Sequence, residues 1–499
     1  MKKMTGLLML TYLATNGCAV LADGSDRRID FGMQVEKKLN RFSDRLFGIK
    51  KPLAAPATEQ DYVSRDRASA GQRLLMAKGL KATFVARNVA HKGDMISFWP
   101  SANSYSHLIV CIEQSRETNG LNASLQRINV KTGKVETILY GMNRCDGIRT
   151  TPWGTILATE EAGDGRAYEV INPLATTANW VANRDTGDIR SAVNSNVVSK
   201  NIVQRTSLPT MSWEGLAVLP TGVVIGGDEL RPGSYADATG IADTDGGSIF
   251  KFIPAIPKTS TGNITELSQS PLVSGNVFAM QVSCRENKQQ TGQGCEVGNA
   301  SWVSVNPLNA RVDANNAQAT GYYRPEDMHL DPGYTGNGVR FCWTNTGRSN
   351  AAHYGEVLCG VDSSPLIADN TVRSVVVNRV FEGDPRFNSV DNLAFQPGTG
   401  NMYVIEDHSY GEIFACLPDG GDRDIKTDGC VGVLSVVDPL AEPSGFTFDA
   451  SGKVAFVMIQ HGEQPDSLLD FKSNPVDGRT DDLIMIRGFK SARKHKSDK

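Results

Sequence analysis

Residues 143–161, NRCDGIRTTPWGTILATEE, set a pattern that the rest of the chain repeats. Cys145 and Asp146 stand in a glycine-bearing loop. A TPWG turn (151–154) then leads into the apolar run TILAT, which ends on Glu160 and Glu161. WEGLAVLPTGVVIGGDE (213–229), VDNLAFQPGTGNMYVIEDH (390–408) and EPSGFTFDASGKVAFVMIQH (442–461) superimpose on it, and RPEDMHLDPGYTGNGVRFCWTN (324–345) joins them. Each unit reads as a polar or acidic loop residue, a short strand, a Gly/Pro/Asp turn and a second strand ending in acid or amide. Self-similarity of this kind marks a repeat architecture whose units bury their faces only against one another. Counting an earlier unit at 107–140 gives about six, each able to supply a four-stranded blade. The expected fold is all-β: a six-bladed β-propeller with loop insertions and a short N-terminal extension.

Outward from the repeats, the same punctuation holds. Short β-type runs such as HLIVCIE, SIFKFIP and DLIMIRGF alternate with Gly, Asn, Asp and Pro, and long helical periodicity is scarce. Residues 79–488 are assigned to the propeller and 23–78 to the extension, with an amphipathic piece at 33–47 that packs outside or helps close the ring. Residues 254–323 exceed what a hairpin needs and are expected to carry an insertion over the mouth. The tail 489–499 is charged.

The 499 residues contain 49 Gly and 22 Pro, are 40% hydrophobic and carry a net charge of -4, which suits a turn-rich β protein. No basic stripe with interleaved aromatics suggests nucleic acid. Residues 1–22 read as an export signal, with Lys2 and Lys3 before an apolar core too short to span a bilayer. The destination is periplasmic or extracellular, Cys18 leaves lipidation open, and a monomer is expected. Nine cysteines in an exported chain favour disulfides. Cys284 with Cys295, Cys342 with Cys359 and Cys416 with Cys430 are close enough to staple hairpin tips. Cys111 and Cys145 remain, either paired with each other or with Cys145 as a thiolate metal ligand.

In a propeller, loop residues flanking the innermost strands crowd one mouth. The acids at such positions are Glu113, Glu160, Glu161, Glu214, Asp228, Glu229, Glu326, Asp327, Asp391, Glu406, Asp407 and Glu442. Converging on an axis, they would repel unless cations neutralised them. Calcium takes six to eight oxygens, and one thiolate would add a transition metal beside it. Arg324, in YRPED, is the arginine tied to an acid pair and suits a bidentate grip on phosphate. His461 is a candidate ligand or proton donor, though a lone histidine is more often structural.

The repeated segments, with NRCDGIRTTPWGTILATEE and YRPED, resemble the PhoX-type alkaline phosphatases, a bacterial secreted family, from about residue 107 to 462. That resemblance implies a six-bladed propeller that hydrolyses phosphomonoesters, using calcium and ferric iron with one cysteine on iron. Carried onto this chain, Cys145 would bind iron. Glu160, Glu161, Glu214, Asp228, Glu229, Glu326, Asp391, Glu406 and Asp407 would hold metals, and Arg324 with Glu326 would act on a small phosphate ester. The chain departs from the family at Asp146, Trp213 and Asp327, and lacks a twin-arginine signal. The alternatives are a calcium-stabilised binding propeller without turnover and a lactonase-like propeller hydrolase.

Overall fold

The structure, a computed structural model, describes residues 31–118, 120–233, 245–282, 296–418, 429–461 and 479–490. The expected export signal, Cys18, the Cys284–Cys295 pair and most of the charged tail lie outside the described residues.

Short strands with both faces covered dominate, as the near-continuous apolar runs Ile156–Glu160, Val224–Asp228 and Met402–Glu406 require: every residue of these three is buried. They form five antiparallel-rich sheets in a propeller. Sheets of four to six strands start at Gly93–Ser101, Cys145–Thr150, Val390–Phe395 and Glu442–Phe448. A ten-stranded sheet runs from Trp213–Val218 outward to Gly298–Val305, passes to Val375–Glu382, and returns inward to Pro325–Leu330. The six inner strands abut in a closed order: Gly93–Ser101, Cys145–Thr150, Trp213–Val218, Pro325–Leu330, Val390–Phe395, Glu442–Phe448 and back to Gly93–Ser101.

Closure is made by the chain's two ends. Lys81–Ala90 pairs antiparallel with Thr480–Arg487, completing the sheet that starts at Glu442. Just before it, Leu74–Met76 adds an edge strand to Cys430–Val436. The helix Phe31–Leu46 packs outside that strand, with Leu39 in the same apolar core as Val431 and Val433. Inter-sheet cores are filled by large side chains, among them Trp153, Trp213, Trp302 and Trp343, all essentially inaccessible. The TPWG turn holds as read: Gly154 at φ +79 donates its N–H to the Thr151 carbonyl at 3.0 Å, a conformation that favours glycine. Cys342 faces Cys359, and Cys416 faces Cys430, across adjacent strands, and both pairs are bonded. Among the described residues no helix is long and apolar enough to cross a membrane.

Candidate metal centre

Five inner strands carry an acid as their second residue: Asp94, Asp146, Glu214, Glu326 and Asp391. In each, pairing with the next strand slips between the first and fourth residues. Such irregularities bend a strand and re-aim a side chain. Glycine follows the acid in two strands, and this lets them approach. A Cβ at Gly147 would lie 1.7 Å from the Glu214 carbonyl oxygen, and one at Gly215 would lie 1.9 Å from the Met328 nitrogen.

The result is a pair of linked carboxylate groups. Asp146, Glu161 and Glu214 each offer an oxygen within 4.8 Å of the others, and so do Glu214, Glu326 and Asp391. Glu214 belongs to both. Asp146 Oδ1 and Glu326 Oε2 are buried with no hydrogen-bond partner. Burial, and then the charges of their neighbours, push Asp146, Glu214 and Asp391 well above the usual carboxylate range. Burial and Glu113 raise Asp94 to about 7. Glu326 is raised to about 8, chiefly by burial, with Arg324 working against the shift. Acids this crowded and this dry can shed their protons together only if cations take up the charge.

Basic residues stand before three of the acid-bearing strands. Lys92, Arg144 and Arg324 each immediately precede an inner strand and adopt left-handed φ of 67°, 57° and 60°. Bulky side chains rarely take this conformation, and it recurs at functional sites. Arg324 Nε donates to Glu229 Oε1 at 2.7 Å, and its Nη2 lies 3.0 Å from Glu326 Oε1. Burial opposes its charge, but Glu326 and Glu229 hold it more firmly protonated than a free arginine. Arg144 Nε donates to Glu161 Oε2 at 3.1 Å and lies 3.2 Å from Glu113 Oε1. His461 Nε2 rests 3.1 Å from Glu442 Oε1, and burial, then a hydrogen bond to Asp407, raise Glu442 well above the usual carboxylate range.

The paired acids do not converge as pairs. Extended backbone sends successive side chains to opposite faces. Glu160 is buried away from both carboxylate groups, accepting from the Asn143 and Arg166 N–H groups and from Arg184 at 2.7 Å. Asp228 accepts from the Ser212 N–H and is gripped by both Arg311 Nε and Nη2 at 2.6 Å. Glu406 accepts from the Asn388 and Glu412 N–H groups. Asp327 accepts from Arg149 and from the Leu393 N–H. Of these pairs, Glu161 and Glu326 join the carboxylate groups; Glu229 pairs with Arg324, and Asp407 lies close enough to raise Glu326 and Asp391.

Alternation also corrects the reading of Cys145 as a ligand. Asp146 faces the axis, so Cys145 faces the inter-sheet core among Met95, Ile109 and Leu125, bonded to Cys111. A disulfide sulfur is no thiolate, so the sulfur-bound iron implied by the family resemblance does not fit this donor set. An all-carboxylate set fits a hard cation. Two residues here were not singled out from sequence: Asp94 and Arg144. A short signal was available, because KGD (92–94), RCD (144–146) and RPE (324–326) all place a basic residue two before an inner-strand acid, and SWE (212–214) and SVD (389–391) place a serine there.

No protein-family model and no curated protein matches the sequence. Solved structures do. Pseudomonas fluorescens PhoX in complex with vanadate, a transition state analogue, superimposes with a TM-score of 0.52 at 15% identity, over 89% of this chain and 98% of that one. The likeness is one of fold. A putative gluconolactonase (11% identity, 83% of this chain and 96% of that one) scores 0.40. The PQQ-bound aldose sugar dehydrogenase of Streptomyces coelicolor (12% identity, 83% and 100%) scores 0.41.

Proposed function

We propose that the protein is an exported, metal-dependent hydrolase of phosphomonoesters, with its centre at the mouth of a six-bladed propeller. The observation that carries this reading is Glu214, whose carboxylate joins both three-acid groups, with Arg324 ion-paired to Glu326 alongside. Asp146, Glu161, Glu214, Glu326 and Asp391 would hold calcium, with Glu229 and Asp407 close by. When bound, the cation would polarise a phosphoryl oxygen and offset charge developing in transfer. Arg324, its Nε and Nη2 held by Glu229 and Glu326, would offer its outer Nη1 edge to a phosphoryl oxygen. Glu326 therefore both completes the metal set and aims the arginine. The fold likeness to a PhoX in complex with vanadate supports the phosphatase reading. Six abutting inner strands support the blade count. Residues 1–22 and the disulfides support export.

Turnover of p-nitrophenyl phosphate by calcium-loaded protein, with elemental analysis alongside, tests the reading. Glu326→Gln is expected to lower kcat/KM about a hundredfold to a thousandfold with the fold retained. Wild-type protein that holds calcium and turns over no phosphomonoester would reject it. That result would favour a calcium-stabilised propeller that binds without catalysis, the alternative favoured by the Cys111–Cys145 bond.

A further inference from the structure

Arg144 and Arg324 occupy the same place on two different inner strands, each one residue before the strand and two before its acid. Between those strands runs Trp213–Val218, which carries Glu214. The two guanidinium groups thus flank the shared carboxylate: Arg144 through Glu161 in one group, Arg324 through Glu326 in the other. Both residues have a left-handed φ, 57° and 60°. Arg144 has both Nε and Nη2 on Glu161, yet it is the more open of the two, its side chain 36% exposed against 14% for Arg324, so its outer Nη1 edge can meet a ligand arriving from solvent.

Resting on the phosphatase reading, we infer that Arg144 is a second anion-binding residue, forming with Arg324 a two-sided clamp that selects phosphomonoesters over phosphodiesters. A monoester carries two negative charges on three non-bridging oxygens, enough to engage the outer edge of a guanidinium on each side. A diester has one charge and two such oxygens, one fewer than two guanidinium groups and a cation would share.

The test compares wild type, Arg144→Gln and Arg144→Lys on p-nitrophenyl phosphate and bis(p-nitrophenyl) phosphate. Cation content is measured on each sample, and inorganic phosphate binding is followed by calorimetry. Arg144→Gln is expected to lower monoester kcat/KM and phosphate affinity about tenfold to a hundredfold, to change diester kcat/KM less than about threefold, and to keep its cations; Arg144→Lys should recover part of the loss. Equal losses on both esters, unchanged phosphate affinity, or a loss that tracks missing cations in both variants would overturn the clamp. If wild type hydrolyses neither ester, the phosphatase reading fails separately, and calorimetry still judges the clamp. Phosphate binding weakened in Arg144→Gln then supports it, and no binding by wild type overturns it.

Discussion

Glu160 and Glu161 are adjacent in the chain, both buried, and placed in opposite electrostatic settings. Glu160 belongs to a set at strand ends, with Asp228 and Glu406, whose oxygens accept from backbone N–H groups of the loop before the inner strand. Glu161 belongs with Asp146 and Glu214 at the axis, where Asp146 keeps a buried oxygen with no partner. The first set ties each inner strand's entry to its neighbour and is complete without a ligand. The second is incomplete: burial, and then the charges of neighbouring carboxylates, raise Asp146 and Glu214. Burial of an acid is thus no guide to its role; what accepts its charge is.

The largest effect that could break this comparison is on folding. Asp228→Ala should destabilise the protein by about 3–5 kcal/mol, because it leaves the Arg311 guanidinium without its buried counter-charge. Glu214→Gln, measured in chelator, should do the reverse and stabilise by about 1–2 kcal/mol, because it relieves a crowded acid. Denaturant titrations of the two variants would show opposite shifts in midpoint, and shifts of the same sign would dissolve the distinction.

Next in size is the Cys111→Ala/Cys145→Ala pair. Opening the cross-link should cost about 2–4 kcal/mol, yet bound cation per chain should stay at the wild-type value, since the sulfur faces the core. A cation count that falls with the folded protein intact would return Cys145 to the centre. Smallest is Gly147→Ala, expected to cost about 1–3 kcal/mol by overpacking against the Glu214 carbonyl. It should also weaken calcium binding measured by calorimetry, because two acids shift apart. Unaltered affinity would mean that the close approach of these strands does not set the carboxylate spacing.

The propeller was legible because its evidence is local: five aligned segments, each with its own turn signal and buried run. That carboxylates gather there was legible for the same reason, and Glu161, Glu214, Glu326 and Asp391 are among the acids read from the sequence. Misassignment came from treating neighbouring acids as one unit. Strand alternation, already implied by calling TILATEE a strand, sends Glu160 and Glu161 to different faces and parts Cys145 from Asp146 in the same way. Other partners were out of reach of any local reading. Arg311 comes from the short helix Ala310–Asn316 to neutralise Asp228, 83 residues away in sequence, and only the folded ring brings them together.

The seam between Lys81–Ala90 and Thr480–Arg487 has a consequence for the order of events during synthesis. One half of that join is synthesised long before the other, so a nascent chain can stack its sheets into an open arc but cannot shut it until Thr480–Arg487 is made. Until the final strand arrives, Asp94 and Asp391 have no fixed spacing across the gap. A chain cut short before residue 480 would still bring together Asp146, Glu161, Glu214, Glu326 and Asp391, which lie on strands adjacent along the arc, but would leave Asp94 unplaced against Asp391.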